Sequence, residues 1–236
     1  MIGNDVVDLS DPESWRDACH SRFDRRVFTP EEGRSLSMDH SDVQKRWILW
    51  SAKEATYKAA RRESAEIAFS PARFVVDLDR SLRGSVRYGN RRWPVRVQID
   101  GDCVHAVVSA DESFSGTLSG ATRLTSAELR DPSEGVRQFA LSSIATELGV
   151  AISDLRIEKV DRIPQLILAG EAAPVELSLS HHGAYAGFAC RDPRIEKADR
   201  VSQCAAAGKA TCVSLSQDVS YASIAYRSHV EQGVLR

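Results

Sequence analysis

"SDVQKRWILWSAKEATYKAARRE", residues 41–63, contains neither proline nor glycine and reads as the longest helix of the chain. Trp47, Trp50, Glu54 and Lys58 recur along it at spacings of three and four, so they share one face, with Tyr57 beside them. Lys53 and the row Leu49, Ala52, Thr56 and Ala59 point elsewhere. A carboxylate on an aromatic face is costly to bury unless it is compensated. The plainest compensation for Glu54 is an ion pair with Lys58, one turn further on.

Downstream, "RFVVDLD" (73–79), "GSVRYG" (84–89), "WPVRVQID" (93–100) and "CVHAVVSA" (103–110) alternate and are rich in β-branched residues. Separated by "RSLRG", "GNRR" and "GD", they predict an antiparallel meander. Upstream, "IGNDVVDL" (2–9) predicts a strand, and "SDPESW" a helix start capped by Ser10 or Asp11 with Pro12 at its first position. "SRFDRRVFTPEE" gathers Arg22, Arg25 and Arg26 within about one helical turn, and "TPEE" opens a further helix.

The order then repeats. "PSEGVRQFALSSIATELGV" (132–150) predicts an amphipathic helix, and "LRIEKV", "PQLILAG", "VELSLSHH" and "AYAGFAC" predict strands. The fold class is therefore α+β, in two similar halves of about 1–118 and 119–191. Ala110–Ser126, rich in Gly, Ser and Thr, reads as the linker between them. The tail 192–236 loses periodicity and is expected to be loosely attached or poorly ordered.

A net charge of −2 excludes a uniformly basic nucleic-acid binder. No apolar run approaches membrane-spanning length, and the N-terminus carries acids where a signal peptide carries Lys or Arg. The scattered Cys19, Cys103, Cys190, Cys204 and Cys212 form no metal-type cluster and fit free thiols of a cytoplasmic protein.

Two further segments hold candidate functional residues. Asp5 interrupts an apolar strand and shares a face with Val7, whereas Asp8 lies on the other face and fits the turn before Ser10. In "LSLSHHGAYAGFA", Ser178, Ser180 and His182 alternate with Leu179 and His181, and the strand ends at a glycine turn.

Together, "GNDVVD" (3–8), "WSAKEATYK" (50–58) and "SLSH" (178–181) resemble the G-x-D-x-x-[DE], W-[ST]-x-K-E-[AS]-x-x-K and S-x-S-H motifs of the 4′-phosphopantetheinyl transferase superfamily. "RFDRRVFTPEE" resembles a further segment of that family, and the resemblance covers about residues 1–190. The motif order Asp, Glu, His is that of the short holo-acyl-carrier-protein synthases, but His181 lies much further from Glu54 than in those proteins. The length is that of the two-half type, in which the S-H half comes first. The resemblance thus implies a circularly permuted, pseudo-dimeric member, expected as a monomer with its site between the halves.

The resemblance implies transfer of 4′-phosphopantetheine from coenzyme A to a serine of an apo acyl or peptidyl carrier protein, with Mg²⁺ and release of adenosine 3′,5′-bisphosphate. Asp5 and Glu54 would bind the metal. Glu54 would also be the base, Lys58 and His181 would hold phosphates, and Ser180 would support the nucleotide end. The family's G-K-P lysine is replaced in "RIP" (162–164), for which Arg162 or Lys159 can substitute. Arg137 is a further candidate for the 3′-phosphate, or a solvated helix charge. Arg22, Arg25 and Arg26 would dock the acidic carrier. Val7, where many two-half members have a second acid, and the missing lysine keep open a non-catalytic carrier- or coenzyme-A-binding homologue. No nucleic-acid or membrane partner is expected.

Overall fold

The structure, a computed structural model, describes residues 1–15, 22–38, 43–192 and 211–215. Strand β1 (Ile2–Asp8) is followed by helices α1 (Phe23–Val27), α2 (Pro30–Met38) and α3 (Val43–Glu63). The meander β2 (Phe74–Leu78), β3 (Arg83–Tyr88), β4 (Arg91–Asp100) and β5 (Cys103–Ser109) completes the first half. Its sheet runs β1-β5-β4-β3-β2, all neighbours antiparallel. The second half runs β6 (Thr117–Arg123), α4 (Pro132–Leu148), β7 (Leu155–Val160), β8 (Ile163–Leu168), β9 (Glu171–His182) and β10 (Tyr185–Arg191), with sheet order β6-β10-β9-β8-β7. Each half is thus a strand and a main helix followed by a four-stranded meander whose last strand returns to pair with the first.

The linker expectation is corrected here, because within Ala110–Ser126 residues Thr117–Arg123 form β6, the counterpart of β1. The Gly, Ser and Thr content that mimics a linker instead supplies the small side chains of a strand flanked on both edges and largely buried. The chain passes between sheets over residues 110–116, so a division at 118 and 119 falls inside β6. In the tail, β11 (Thr211–Leu215) pairs antiparallel with the free edge of β6. The expected disorder of the other tail residues after Asp192 lies outside the described residues.

Alternation sorts each strand onto two faces. Val7, Val104, Ala106 and Val108 pack with Trp47, Ala52, Ala55 and Ala59 of α3. Gly3 lets β1 approach that helix, since a Cβ there would lie 2.0 Å from the Ala55 carbonyl oxygen. In the second half Leu118, Leu177 and Phe188 pack with Ala140, Leu141 and Ile144 of α4. The opposite faces of the two sheets meet each other. Ile2, Val107, Phe114 and Ala189 form an apolar plug there, and Asn4, Ser178 and Ser180 add buried polar groups.

That seam is a run of cross-half bonds along β1 and β9. The Met1 ammonium pairs with Glu176 at 3.0 Å, and the Asn4 amide nitrogen donates to Ser178 Oγ at 3.0 Å. Asn4 Nδ2 donates to Ser180 Oγ at 2.8 Å, and the Asp8 amide donates to His182 Nδ1 at 3.1 Å. Glu176, Ser178, Ser180 and His182 are alternate residues of β9, so one face of that strand reads the length of β1. Arg62 of α3 adds a hydrogen bond to the Leu177 carbonyl. Among the described residues, no helix is long and apolar enough to cross a membrane.

Candidate active site

Asp5 leaves β1 on the α3 side. Lys58 Nζ lies 2.8 Å from Asp5 Oδ1 and also donates to the Asn4 carbonyl at 3.0 Å. The Glu54–Lys58 pair expected from spacing does not form: among the described residues Glu54 has no ion pair, because Lys58 crosses to the more buried carboxylate. Burial pushes the Glu54 carboxyl up to about 7, and the Asp5 charge adds to that rise while Lys58 opposes it. Burial also raises Asp5, against Lys58 first and then His182 and the Val6 amide. Asp5, Glu54 and Lys58 therefore form one wall of partly desolvated, mutually coupled charges.

Trp47 and Trp50 continue that wall toward the helix start, with ring centroids 6.4 Å apart. Trp47 Nε1 donates to the Ser14 carbonyl at 2.6 Å, which anchors the loop after β1. Phe23 of α1 packs on both tryptophans, 5.9 and 5.6 Å between centroids, and this sets α1 beside the wall. Arg25 and Arg26 in the last turn of α1, and Arg22 just before it, are exposed there.

The second half contributes two histidines on opposite faces of β9. His181 is exposed and 3.4 Å from Ser133 Oγ at the start of α4. Burial lowers its pKa, with Lys58 the next contributor, so the α3 lysine acts on it across the seam. His182 is half-buried on the β1 side, its ring 6.5 Å from Trp47. The intervening turn is held by Asp8, whose Oδ2 accepts the Ala184 amide at 2.8 Å while Oδ1 accepts the Ser10 amide and hydroxyl at 2.9 and 2.6 Å. Gly183, at φ +53°, fits only without a Cβ, which would lie 2.5 Å from Asp8 Oδ2.

The remaining sequence candidates are dispersed. Ser180 is buried in the seam, accepting from Asn4 and donating to the Gly187 carbonyl at 3.4 Å, so its hydroxyl joins the halves. Arg162 is exposed at the tip of the β7–β8 hairpin, where it and Asp161 have positive φ. Lys159 is close enough to His181 to act on its charge. Arg137 pairs with Glu134 at 3.3 Å on α4.

Two contributors, Lys53 and Asn4, have no role in the sequence reading, and His182 is placed there only on its strand face. Lys53, within the helix motif, is fully buried and pairs with Glu32 at 2.7 Å while donating to the Phe74 carbonyl at 2.6 Å, which ties α3 to α2 and β2. Asn4 is fully buried at the seam, beside a His105 whose pKa falls to about 4, chiefly through burial. A polar residue alternating with Ile2 and Val6 was the available signal for Asn4. For His182 the signal was its place on the Ser178–Ser180 face.

Among known proteins, residues 1–108 match the family described as the 4′-phosphopantetheinyl transferase superfamily. A crystal structure of holo-[acyl-carrier-protein] synthase from Neisseria meningitidis is similar at 23% identity and a TM-score of 0.38, covering 45% of this chain and 94% of that chain. A search among curated proteins finds no match. Over residues 1–108, the part that carries Asp5, Glu54 and Lys58, the chain is a match to the 4′-phosphopantetheinyl transferase superfamily.

Proposed function

We propose that this protein transfers 4′-phosphopantetheine from coenzyme A to a serine hydroxyl of an apo acyl or peptidyl carrier protein, as a cytoplasmic monomer. The observation that carries this reading is the convergence of Asp5, Glu54 and Lys58 on one wall beside the seam where β9 delivers two histidines. The serine oxygen attacks the β-phosphorus of coenzyme A, the P–O bond of the pyrophosphate breaks, and adenosine 3′,5′-bisphosphate leaves. Glu54, on the wall beside Lys58, takes the serine proton. Lys58 stabilises the pyrophosphate charge, and His181, within electrostatic reach of Lys58, holds a phosphate from the second half.

Asp5 and Glu54 fit a divalent cation, being two hard-oxygen donors, with the Asp5 charge raising the proton affinity of Glu54. They would hold Mg²⁺, which supplies neutralisation of the pyrophosphate charge when bound. Arg22, Arg25 and Arg26, exposed beside the aromatic end of the wall, suit an acidic carrier helix. Lys159 and Arg162 are the candidates for the phosphate that the missing lysine would meet. The buried thiol of Cys190 fits a reducing compartment.

The test is the intact mass of several apo carrier proteins after incubation with the protein, coenzyme A and Mg²⁺. Gain of one phosphopantetheine arm with wild type, and none with Glu54→Gln, is the expected result. Coenzyme A binding with no modification across a broad carrier panel would favour a non-catalytic homologue.

A further inference from the structure

His182 is absent from the motif that contains His181, yet it is the histidine turned toward the first half. Its Nδ1 accepts the Asp8 amide proton at 3.1 Å, so the ring proton resides on Nε2, at the far side of the ring from that bond. The ring lies against Trp47 at 6.5 Å and remains half-buried. His182 lies close enough to Asp5 to act on its carboxyl, whereas His181 is directed to Ser133 on the α4 side. Asp8, Ser10 and Ala184 brace the turn around it, so the imidazole is held from both halves.

We propose that His182 is a second phosphate-binding histidine of the site, its Nε2–H donating to an oxygen of the substrate pyrophosphate beside Asp5. This rests on the transferase reading and deepens it: the two histidines divide the ligand between them, His182 on the Asp5 side of the seam and His181 on the α4 side. A fixed ring with one preset donor suits this task, since little ordering remains to be done when the anion arrives.

Two near-isosteric variants separate phosphate binding from support of the turn. His182→Asn keeps an acceptor near Nδ1 for the Asp8 amide but lacks the distal donor; His182→Gln keeps a donor near Nε2 and gives up the acceptor. Coenzyme A and inorganic pyrophosphate binding, each with Mg²⁺, are measured by calorimetry, and the melting temperature of every variant is recorded. The expected result is about tenfold weaker binding of both probes by His182→Asn at an unchanged melting temperature, as for loss of one hydrogen bond to a charged group, with most of the affinity kept by His182→Gln. Wild-type affinity in His182→Asn overturns the assignment alone. Equal weakening in both variants, following their melting temperatures, also overturns it and leaves His182 as a brace for β1. A wild-type protein that binds neither probe overturns the transferase reading, and this assignment with it.

Discussion

Lys58 Nζ lies 2.8 Å from Asp5 Oδ1, so the cation of α3 is spent on strand β1 and not on Glu54 of its own helix. Among the described residues this leaves one carboxylate neutralised and a second beside it without an ion pair, an arrangement that costs stability because Glu54 is desolvated next to the Asp5 charge.

Lys58→Met should therefore destabilise the protein by about 1–3 kcal/mol, because Asp5 is left buried without its partner. Adding Asp5→Asn should restore part of the loss, since the charge that needs the partner is gone. Urea unfolding of the single and double variants measures both effects. A single variant as stable as wild type would count against the pairing.

Glu54 should make the metal-free protein less stable as pH rises. Its folded pKa of about 7 lies above the ordinary value of 4.5, so the folded state holds the proton more tightly than the unfolded state. The contribution is complete below pH 4.5 and is lost as pH rises through about 7, with a size of roughly 3 kcal/mol. Denaturant unfolding at intervals between pH 4.5 and 8 should show this slope in wild type and a flatter one in Glu54→Gln.

The buried Lys53–Glu32 pair should behave as structure and not as chemistry. Glu32→Ala leaves a fully buried ammonium without its carboxylate and should cost about 3–5 kcal/mol in guanidinium unfolding. Replacing both residues by apolar ones of similar volume, Glu32→Met with Lys53→Met, should cost much less. If the single variant were the milder of the two, the pair would not be what holds α2 and β2 to α3.

Reversing charge at Arg22→Glu together with Arg26→Glu should raise KM for the carrier protein about tenfold and weaken its salt dependence, with little change in melting temperature, since both side chains are exposed. Steady-state kinetics at two ionic strengths read this directly. Unaltered KM and salt dependence would move carrier docking to another surface.

Much of the fold was legible locally. The proline-free run became α3, the four alternating segments became β2 to β5 almost residue for residue, and Asp5 and Val7 fell on one strand face with Asp8 on the other. β6 was not legible, because its Thr, Ser and Gly carry a linker's composition and only pairing with β10 makes them a strand. Its role as the partner of β1 in a repeated topology follows from closure of each meander onto its first strand.

Periodicity by itself determined which side chains share a face: Trp47, Trp50, Glu54 and Lys58 on α3, and Ser178, Ser180 and His182 on β9. What stands opposite those faces was decided by tertiary structure. That Lys58 prefers Asp5 to Glu54, that Ser180 is consumed by Asn4, and that His182 grips the Asp8 amide from 174 positions away all depend on how two sheets meet. The physical reason is that a side chain's direction follows from local backbone geometry, whereas its partner and its desolvation are set by distant segments brought together only when both halves pack.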